Sequence, residues 1–403
     1  MLYKIYKNFT VVFIAFIISA MSCVFVFQFI LPEKFYVSDD NFDFTPIKGN
    51  FITFEASGKN ARQVLSQQSS SYTATARFMG IFPIKEVSLN YTDEKIVTVC
   101  GTPFGVKMFT DGVLVVGFSK IKTVTGNHCP ASESGLLEGD LIKSIDGTNV
   151  FTNEDVAQII ENSEGKTLEF LLERNNKNVT VDLTPEMLED KSGYKAGFWV
   201  RDSSAGIGTL TFYSPENLLF AGLGHAVCDV DTGTVLPFSS GEIVTASITK
   251  IEKGVSGKPG ELSGVFNGKE SLGIVKINNE TGLYGTLEYE IEGIEMPLAY
   301  KQDIYEGSAV ILSTVDGTEA EEYDIIIEKI SLSDDSLTKN MVIKVVDEEL
   351  LELTGGIVQG MSGSPIVQDG KLVGAVTHVF VNDPTKGYGI FAENMLEMSK
   401  KCG

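Results

Sequence analysis

The sequence is short of basic residues: 32 Lys and Arg stand against 54 Asp and Glu among 403 residues, a formal net charge of −22 at pH 7. Proteins that bind nucleic acid neutralise phosphates with clustered Lys and Arg. The charge balance therefore argues against nucleic acid as a partner. Acidic residues are dense from Asp316 to Glu328 and from Asp347 to Glu352. We interpret most of them as residues that solvate the surface of an exported protein.

Cysteine is also scarce, and its five positions are far apart: Cys23, Cys100, Cys129, Cys228 and Cys402. No CxxC pair indicates a zinc site, and no dense pattern indicates a disulfide scaffold. The sequence therefore predicts no metal ion and no cofactor, and any disulfide is expected to be incidental to the fold.

Residues 10–31 form an apolar run in which Gln28 is the only amide or charged side chain. As a helix the run spans roughly 33 Å, enough to cross the hydrocarbon core of a membrane. Lys4 and Lys7 precede it, which predicts a cytoplasmic stub and anchor at residues 1–31 with everything downstream exported. A cleaved signal peptide is the competing interpretation. The run is longer than a usual signal core of about 7 to 15 residues, and no clear small-x-small site follows it.

Residues 32–105 are predicted to form a tether and an N-terminal β segment. The polar tract from Ser66 to Ser71 is typical of a tether or a loop. Residues 85–99 alternate moderately and could add one or two strands. Because exposed polar segments are the usual sites of nicking, we expect self-cleavage between Pro32 and Asn90.

The next module, residues 106–196, contains an apolar strand from Gly112 to Phe118 and the run Gly135-Leu136-Leu137-Glu138-Gly139-Asp140-Leu141-Ile142, followed by Ile145-Asp146-Gly147. Thr152 or Asn153 can cap a helix with an apolar face. Two strands, residues 167–174 and 179–183, follow, joined by Asn175 and Asn176. This pattern resembles a PDZ domain, an α+β fold.

The PDZ resemblance implies a peptide-binding groove between the strand after Val116, Gly117 and Phe118 and the helix at residues 155–162. A free strand edge can add a peptide strand while loop N–H groups receive a terminal carboxylate. The alternative is a PDZ fold that packs against its neighbour and binds no separate ligand.

The last module, residues 197–403, consists of many short β segments separated by turn signals such as Asn267-Gly268, Asp316-Gly317 and Asp369-Gly370. Short strands at this spacing predict a sandwich or a barrel. A helix at residues 393–400 is expected to cap it.

Within this module lies Gly360-Met361-Ser362-Gly363-Ser364-Pro365, set between two apolar runs. A serine in such a turn has an exposed hydroxyl, and the glycines let a carbonyl approach backbone N–H groups. We predict Ser362 as the nucleophile, with the N–H groups of Gly360 and Ser362 as the oxyanion hole. A glycine-rich hairpin without chemistry is the alternative.

A serine nucleophile needs a base, and the chain has three histidines: His128, His225 and His378. His225 follows a predicted strand in a glycine-rich turn and is the best candidate for general base. His378 lies on a predicted strand beside the substrate, where it either lines the specificity pocket or is structural. His128 lies in a loop of the PDZ-like module.

The carboxylate predicted to orient the base is Asp347, which follows the apolar strand at residues 341–346. It precedes Ser362 by 15 residues and gives the chain order His, Asp, Ser. Asp229 and Asp231 are rivals because they are close to His225, and they could instead indicate a metal site. Zinc is disfavoured, since the sequence has no HExxH and no second His at helical spacing.

Taken together, Gly224-His225-Ala226, Asp347 and the run from Gly355 to Pro365, preceded by a PDZ unit and one membrane segment, resemble the SpoIVB peptidase family of endospore-forming bacteria over nearly the whole chain. The resemblance implies a mainly β fold: a chymotrypsin-like double β-barrel peptidase domain, preceded by the PDZ domain and one N-terminal transmembrane helix. It implies a serine endopeptidase. Met361 replaces the acidic residue of the Gly-Asp-Ser-Gly-Gly-Pro pattern, so activation by a freed N-terminus pairing with that acid is not available. Ser364 replaces the second glycine.

The family further implies a role in sporulation signalling. Its members are exported across the inner forespore membrane to the intermembrane space, release themselves by self-cleavage and cut a membrane regulator of an intramembrane protease. That cut releases processing of pro-sigma-K. One alternative is a PDZ adaptor that has lost catalysis and only binds peptides. A housekeeping protease would instead place its catalytic module before the PDZ domain.

Overall fold

The structure, a computed structural model, describes residues 2–37, 52–56, 71–332 and 337–403. Its helices are α1 (Leu2–Ile30), α2 (Pro130–Ser134), α3 (Asn153–Asn162), α4 (Glu348–Thr354) and α5 (Ala392–Ser399), with 3-10 turns at Lys301–Asp303 and Lys400–Cys402. Its strands are β1 (Lys34–Val37), β2 (Ile52–Ala56), β3 (Ser71–Phe78), β4 (Phe82–Tyr91), β5 (Ile96–Val99), β6 (Pro103–Phe118), β7 (Ile121–Thr123), β8 (Gly126–His128), β9 (Leu141–Ile145), β10 (Thr148–Asn149), β11 (Leu168–Arg174), β12 (Lys177–Leu183), β13 (Glu186–Met187), β14 (Tyr194–Lys195), β15 (Phe198–Tyr213), β16 (Leu219–Gly222), β17 (Phe238–Glu252), β18 (Glu261–Asn279), β19 (Gly282–Leu287), β20 (Ile294–Pro297), β21 (Gly307–Ser313), β22 (Glu321–Ile330), β23 (Met341–Val345), β24 (Pro365–Gln368), β25 (Lys371–Phe380) and β26 (Asp383–Phe391).

Helix α1 contains the predicted membrane segment. Its portion Asn8–Ile30 is long and apolar enough to cross a membrane. Length and composition of this kind fit a single-pass anchor and a signal sequence alike. The helix therefore supports membrane association in general.

The segment predicted as a tether contains a four-stranded sheet in the order β1-β4-β3-β2, with β1 parallel to β4. Buried residues alternate along its strands, as at Ala74, Ala76, Val87 and Leu89, because successive side chains of a strand point to opposite faces. This face packs against the end of α1. The polar tract predicted at residues 66–71 lies outside the described residues except for Ser71.

Two closed six-stranded barrels form the peptidase part of the chain. The first closes through the neighbours β6, β17, β18, β19, β16 and β15, because β15 also pairs with β6. The second closes in the order β21-β22-β23-β26-β25-β24. Closure leaves no unpaired strand edge in either barrel. The predicted double barrel is therefore confirmed.

The PDZ-like module comprises β9 to β12, α2 and α3 around its own apolar core. Thr152 caps α3, and the Asp155 side chain completes a reciprocal capping box. Asn175 and Asn176 have positive φ values of 51° and 59°, which suits the tight turn between β11 and β12. These local predictions are confirmed.

The PDZ-like module is inserted into the first barrel. Strands β6 and β15 are each 16 residues long, and each belongs to the barrel at one end and to the PDZ-like module at the other. The first barrel is thus completed by β6, which precedes the PDZ-like module in the chain. The domain boundary predicted between residues 196 and 197 falls one residue before β15.

Candidate active site

Ser362 lies in the turn that precedes β24 of the second barrel. Threonines of β15 in the first barrel hold this turn. Thr209 N–H donates to the Ser362 carbonyl at 3.2 Å, and its hydroxyl donates to the Gly360 carbonyl at 2.9 Å. Thr211 Oγ1 donates to the Gly363 carbonyl at 2.7 Å. The turn therefore lies where the two barrels meet.

Glycine is required at position 363 for two reasons. Its φ is +96°, a conformation that L side chains rarely adopt. A Cβ at this position would also lie 2.1 Å from the Thr209 carbonyl oxygen and 2.6 Å from Leu223 N. The turn can therefore approach β15 this closely because glycine at position 363 has no side chain.

The N–H groups of Gly360 and Ser362, predicted as the oxyanion hole, donate to no protein oxygen within the described parts of the chain. The N–H groups next to them are used: Met361 N donates to the Val358 carbonyl and Gly363 N to the Val376 carbonyl. Peptide N–H groups left free beside a nucleophile are the donors that an oxyanion needs. Their role stays a prediction.

The two positions that depart from the family pattern are both fully buried. The Met361 side chain packs in the core of the second barrel. The Ser364 hydroxyl donates to the Ser313 hydroxyl on β21 at 3.0 Å. In the Gly-Asp-Ser-Gly-Gly-Pro pattern an acidic residue that can form an ion pair stands at position 361. Here the position holds the apolar side chain of Met361.

His225 lies in the loop after β16, in the first barrel. Gly224, with φ of +70°, brings this loop close to β25, where a Cβ would lie 2.9 Å from Thr377 Cγ2. The His225 Nδ1 donates to the Ala226 carbonyl at 2.8 Å, a bond that leaves Nε2 as the proton acceptor. Burial lowers the pKa of His225, and the bond to Ala226 opposes that shift. The imidazole is therefore neutral at neutral pH, as a general base must be.

Ser362 and Gly224, the residue before His225, come close to the same residue, Thr377. The Ser362 hydroxyl donates to the Thr377 carbonyl at 2.7 Å, while Gly224 lies against the Thr377 side chain. No hydrogen bond joins Ser362 to the His225 ring in the portion of the chain that the structure describes. A rotation of the serine about χ1 would release the hydroxyl from Thr377.

His378 follows Thr377, and its ring lies beside that of His225. The ring centroids are 5.2 Å apart and the planes are inclined by 42°. Burial, the neighbouring His225 and Lys339 all lower the pKa of His378. The ring therefore borders the candidate site as a neutral group. His128 lies elsewhere, at the end of β8 near Glu133.

Asp347, the predicted orienting carboxylate, caps helix α4 instead. One of its oxygens accepts from Leu350 N at 2.9 Å and the other from Asp324 N at 3.3 Å. Among the described residues it makes no hydrogen bond to His225. An aspartate before a helix is well placed to satisfy the free N–H groups of the first turn, which accounts for its position. Its orienting role stays a prediction.

The rival carboxylates also have other partners. Asp229 is buried and Asp231 is exposed, and both form ion pairs with the Arg201 guanidinium. Burial disfavours ionisation of Asp229, but hydrogen bonds from Thr232 and Arg201 outweigh it and lower its pKa. In this structure the group that receives the His225 Nδ1 proton is the Ala226 carbonyl.

Val116, Gly117 and Phe118, the residues predicted to border a peptide groove, lie beside another strand, and their peptide-binding role stays a prediction. Val116, Gly117 and Phe118 lie at the end of β6, where β15 already pairs with them: Trp199 is opposite Gly117 and Phe198 opposite Phe118. This edge therefore cannot receive a peptide strand. The other edge of residues 198–200 has no strand partner among the described residues. Phe198 and Val200 share a core with Val156 and Ile160 of α3, so residues 198–200 lie beside this helix.

Sequence reasoning missed the residues that assemble this site. Thr209 and Thr211 hold the nucleophile turn by hydrogen bonds to its backbone oxygens. The Ala226 carbonyl accepts a hydrogen bond from His225, and the Thr377 carbonyl accepts one from Ser362. A carbonyl is present at every residue, so no sequence signal distinguishes these two. The Gly197 turn before β15 has a Gly-Phe signal that could have located the PDZ-like groove.

Family models match two parts of the chain. The family model for the SpoIVB peptidase S55 matches residues 192–396, and a PDZ domain model matches residues 126–174. Serine protease HTRA1 of Xenopus tropicalis is 42% identical over 60 residues, 15% of this chain and 13% of that protein. Regulator of sigma-W protease RasP of Bacillus subtilis is 27% identical over 128 residues, 32% of this chain and 26% of that protein. The matched segments thus span well under two thirds of these curated relatives.

Solved structures are similar to the chain in parts. The PDZ domain of an SdrC-like protein from Listeria monocytogenes is 25% identical, with a TM-score of 0.19, and covers 22% of this chain and 87% of that structure. The active form of the Rv3671c protease from M. tuberculosis is 14% identical, with a TM-score of 0.28, and covers 50% of this chain and 75% of that structure.

The S55 match runs from just before β15 into α5, so it covers the second barrel and every strand of the first barrel except β6. It contains Ser362 and His225 together with the threonines that hold the nucleophile turn. This chain belongs to the SpoIVB peptidase family, a family of serine peptidases.

Proposed function

We propose that this chain is a membrane-associated, self-processing serine endopeptidase in which Ser362 is the nucleophile and His225 the general base. The observation that best supports this is the free pair of N–H groups at Gly360 and Ser362. They lie in a turn held against the barrel that contributes His225. Acyl transfer needs a nucleophile, a base and oxyanion donors at one place.

The first step is attack by Ser362. The hydroxyl leaves the Thr377 carbonyl and transfers its proton to His225 Nε2 as Oγ bonds to the scissile carbonyl carbon. The Nδ1–H bond to the Ala226 carbonyl fixes the ring and its tautomer and stabilises the imidazolium that forms. Asp347, whose oxygens accept from Leu350 N and Asp324 N, takes no part in the step as written here.

The tetrahedral oxyanion then accepts hydrogen bonds from Gly360 N and Ser362 N. Loss of one such donor costs about 2.7 to 4 kcal/mol of transition-state stabilisation in other serine peptidases. His225 gives its proton to the leaving amine, and the acyl-enzyme remains on Ser362. Water, deprotonated by the same imidazole, releases the second product.

The test is a Ser362→Ala substitution in the full chain. Ser362→Ala should abolish labelling by a fluorophosphonate, peptide cleavage and self-processing, with an unchanged circular dichroism spectrum. Ser364→Ala is the matched control, because its buried hydroxyl bonds to Ser313 and, among the described residues, to no group of the candidate site. It should keep labelling and lose about 1 kcal/mol of stability. Labelling of the Ser362→Ala variant at the rate of the parent protein contradicts the proposal.

Peptide binding is proposed for the PDZ-like groove between residues 198–200 and α3. The unpaired edge of β15 can add a strand, and the turn at Ala196 and Gly197 precedes it, where loop N–H groups could receive a terminal carboxylate. Binding of peptides with a free C-terminus, compared with their C-terminal amides, tests this groove.

The biological role we propose follows the family. The exported enzyme acts from the inner forespore membrane on the intermembrane space, where it cuts a membrane regulator of an intramembrane protease and so releases processing of pro-sigma-K. Family membership and the apolar helix at Asn8–Ile30 support this proposal. A sporulating strain with Ser362→Ala should accumulate unprocessed pro-sigma-K.

Self-cleavage is proposed between Pro32 and Asn90. A peptidase needs an extended, unpaired substrate segment, and strands β1 to β4 pair their backbones with one another. Residues 38–51 and 57–70 of this range lie outside the described residues. N-terminal sequencing of the released form should place the cut outside β1 to β4.

A catalytically silent PDZ adaptor is the second candidate. It shares the groove at residues 198–200 but has no use for the free N–H groups at Gly360 and Ser362. An adaptor would bind peptides and fail to react with a fluorophosphonate in the unsubstituted protein.

A further inference from the structure

Arg201 lies where β15 passes from the PDZ-like module into the first barrel. The pairing of β15 with β6 shifts register between Arg201, opposite Leu114, and Ser203, opposite Phe109. Such a bulge re-aims the side chains of a strand. Here the Arg201 side chain reaches the loop after β16, and the next side chain, Asp202, reaches helix α3.

The Arg201 guanidinium bonds to the loop that contains His225. One nitrogen pairs with Asp229 and another donates to Asp231 Oδ2 at 2.6 Å. The Asp229 side chain is 0% exposed. Its second oxygen accepts from Asp231 N and Thr232 N, which closes the turn that begins four residues after His225.

The base of the same loop is held independently. Asn278 bonds to both the N–H and the carbonyl of Val227, at 2.8 and 2.9 Å. After loss of Arg201 the loop would therefore remain attached at Val227. The buried Asp229 carboxylate, further along the loop, would have lost its cation. An unpaired buried charge is strongly unfavourable, so this part of the loop must rearrange.

Asp202 connects the bulge to the PDZ-like groove. Its Oδ2 accepts from the N–H of Asn153, the first residue of α3, at 2.9 Å. Helix α3 and residues 198–200 are the two walls of the groove. Arg201 and Asp202 thus join a groove wall to the loop of the catalytic base within two residues of one strand.

We propose that Arg201 is a positioning residue for His225, and that Asp202 transmits the state of the PDZ-like groove to it. This inference rests on the proposed function, because it assumes that His225 activates Ser362. The guanidinium holds the turn at Asp229, that turn sets the loop, and the loop sets the distance from Nε2 to the serine hydroxyl.

The experiment measures the rate of fluorophosphonate labelling at Ser362 in the detergent-solubilised full chain. Arg201→Gln should lower the maximal labelling rate by about tenfold to a hundredfold, the effect of a small displacement of a catalytic group, while the probe concentration at half-maximal rate stays constant. Arg201→Lys should recover part of the rate, because one ammonium can pair with Asp229 but cannot hold both carboxylates in a fork. An Arg201→Gln protein that labels at the parent rate overturns the proposal.

Arg174 provides the matched control. It also pairs with a buried aspartate, Asp140, through two of its nitrogens, but within the PDZ-like module. Arg174→Gln should lower the melting temperature much as Arg201→Gln does, yet leave the maximal labelling rate unchanged. Equal slowing by both variants means that Arg201 acts only through stability.

If Arg201→Gln does not fold, the double variant Arg201→Gln with Asp229→Asn keeps the test open, because it removes the buried charge together with its partner. It should fold and still label slowly; a fast double variant overturns the proposal.

The link to the groove has its own variant, Asn153→Pro. Proline is favoured at the first position of a helix, and the extended Thr152 before it is compatible with proline, so the change removes the N–H that bonds to Asp202. It should slow labelling by about twofold to tenfold, and a parent rate contradicts the link. Failure of the proposed function looks different: the unsubstituted protein itself does not label.

Discussion

At the scale of single residues, the chemistry depends on where two protons are held. The Ser362 hydroxyl donates a hydrogen bond to the Thr377 carbonyl, and His225 Nδ1–H donates one to the Ala226 carbonyl. Both acceptors are neutral backbone groups. The proposed base, His225, is therefore held neutral by burial and bonded to a carbonyl. Orientation by Asp347 stays a prediction.

The pH dependence of cleavage follows from the lowered pKa of His225. The ring must be neutral to accept a proton, and burial favours the neutral form to lower pH than the ordinary histidine value of about 6.5. The acid limb of kcat/KM should therefore have its midpoint below about 6.5, with a plateau above it. His378 is also held neutral, so the change His378→Asn should leave that midpoint in place. A large shift of the midpoint in this variant would mean that the acid limb reports the titration of His378 and not of His225.

At the scale of elements, loops and strand ends determine the site. Two strands of the first barrel, β15 and β16, deliver the threonines and the histidine loop, and the turn before β24 delivers Ser362. Asp347 caps helix α4, where its carboxylate accepts from Leu350 N and Asp324 N. The element to which a residue belongs thus decides which partners it meets.

Asp347 can be tested as a helix cap and as an orienting carboxylate with two substitutions. Asparagine caps helices as well as aspartate does, whereas alanine at a cap costs about 1 kcal/mol. We expect Asp347→Asn to keep stability and most cleavage activity, and Asp347→Ala to lower the free energy of unfolding by about 1 kcal/mol. Denaturant titration and peptide cleavage measure the two effects. A stable but inactive Asp347→Asn protein restores the orienting role.

At the scale of the whole molecule, the PDZ-like module and the peptidase share two strands. Strand β6 precedes the module and still closes the first barrel, and β15 follows it and would form a wall of the proposed groove. The peptidase is therefore not a separate C-terminal piece of the chain.

Fragments should reveal this arrangement. A fragment of residues 92–403 keeps β5, β6 and both barrels and should be soluble, cooperative in thermal unfolding and labelled by a fluorophosphonate. A fragment of residues 197–403 lacks β6, so its first barrel has two exposed strand edges and should aggregate. Size-exclusion chromatography and circular dichroism compare the two. A folded, reactive 197–403 fragment contradicts the insertion of the PDZ-like module.

The sequence by itself determined the parts whose signals are local. The apolar run before Pro32, the PDZ pattern from Gly135 to Gly147 with its capped helix, and the turn around Ser362 each depend on residues close together in the chain. Periodicity, capping and glycine conformation act over a few residues, so the double-barrel family could be recognised from such segments.

Only the tertiary structure decided what lies between the barrels. It placed Asp347 at the cap of helix α4, paired the His225 Nδ1–H with a backbone carbonyl, paired residues 117 and 118 with β15, and made β6 part of the first barrel. Each of these depends on partners far away in the chain or on backbone carbonyls, which every residue has. A pairing between distant strands is set by which edges are left free after folding, and no local pattern records that choice.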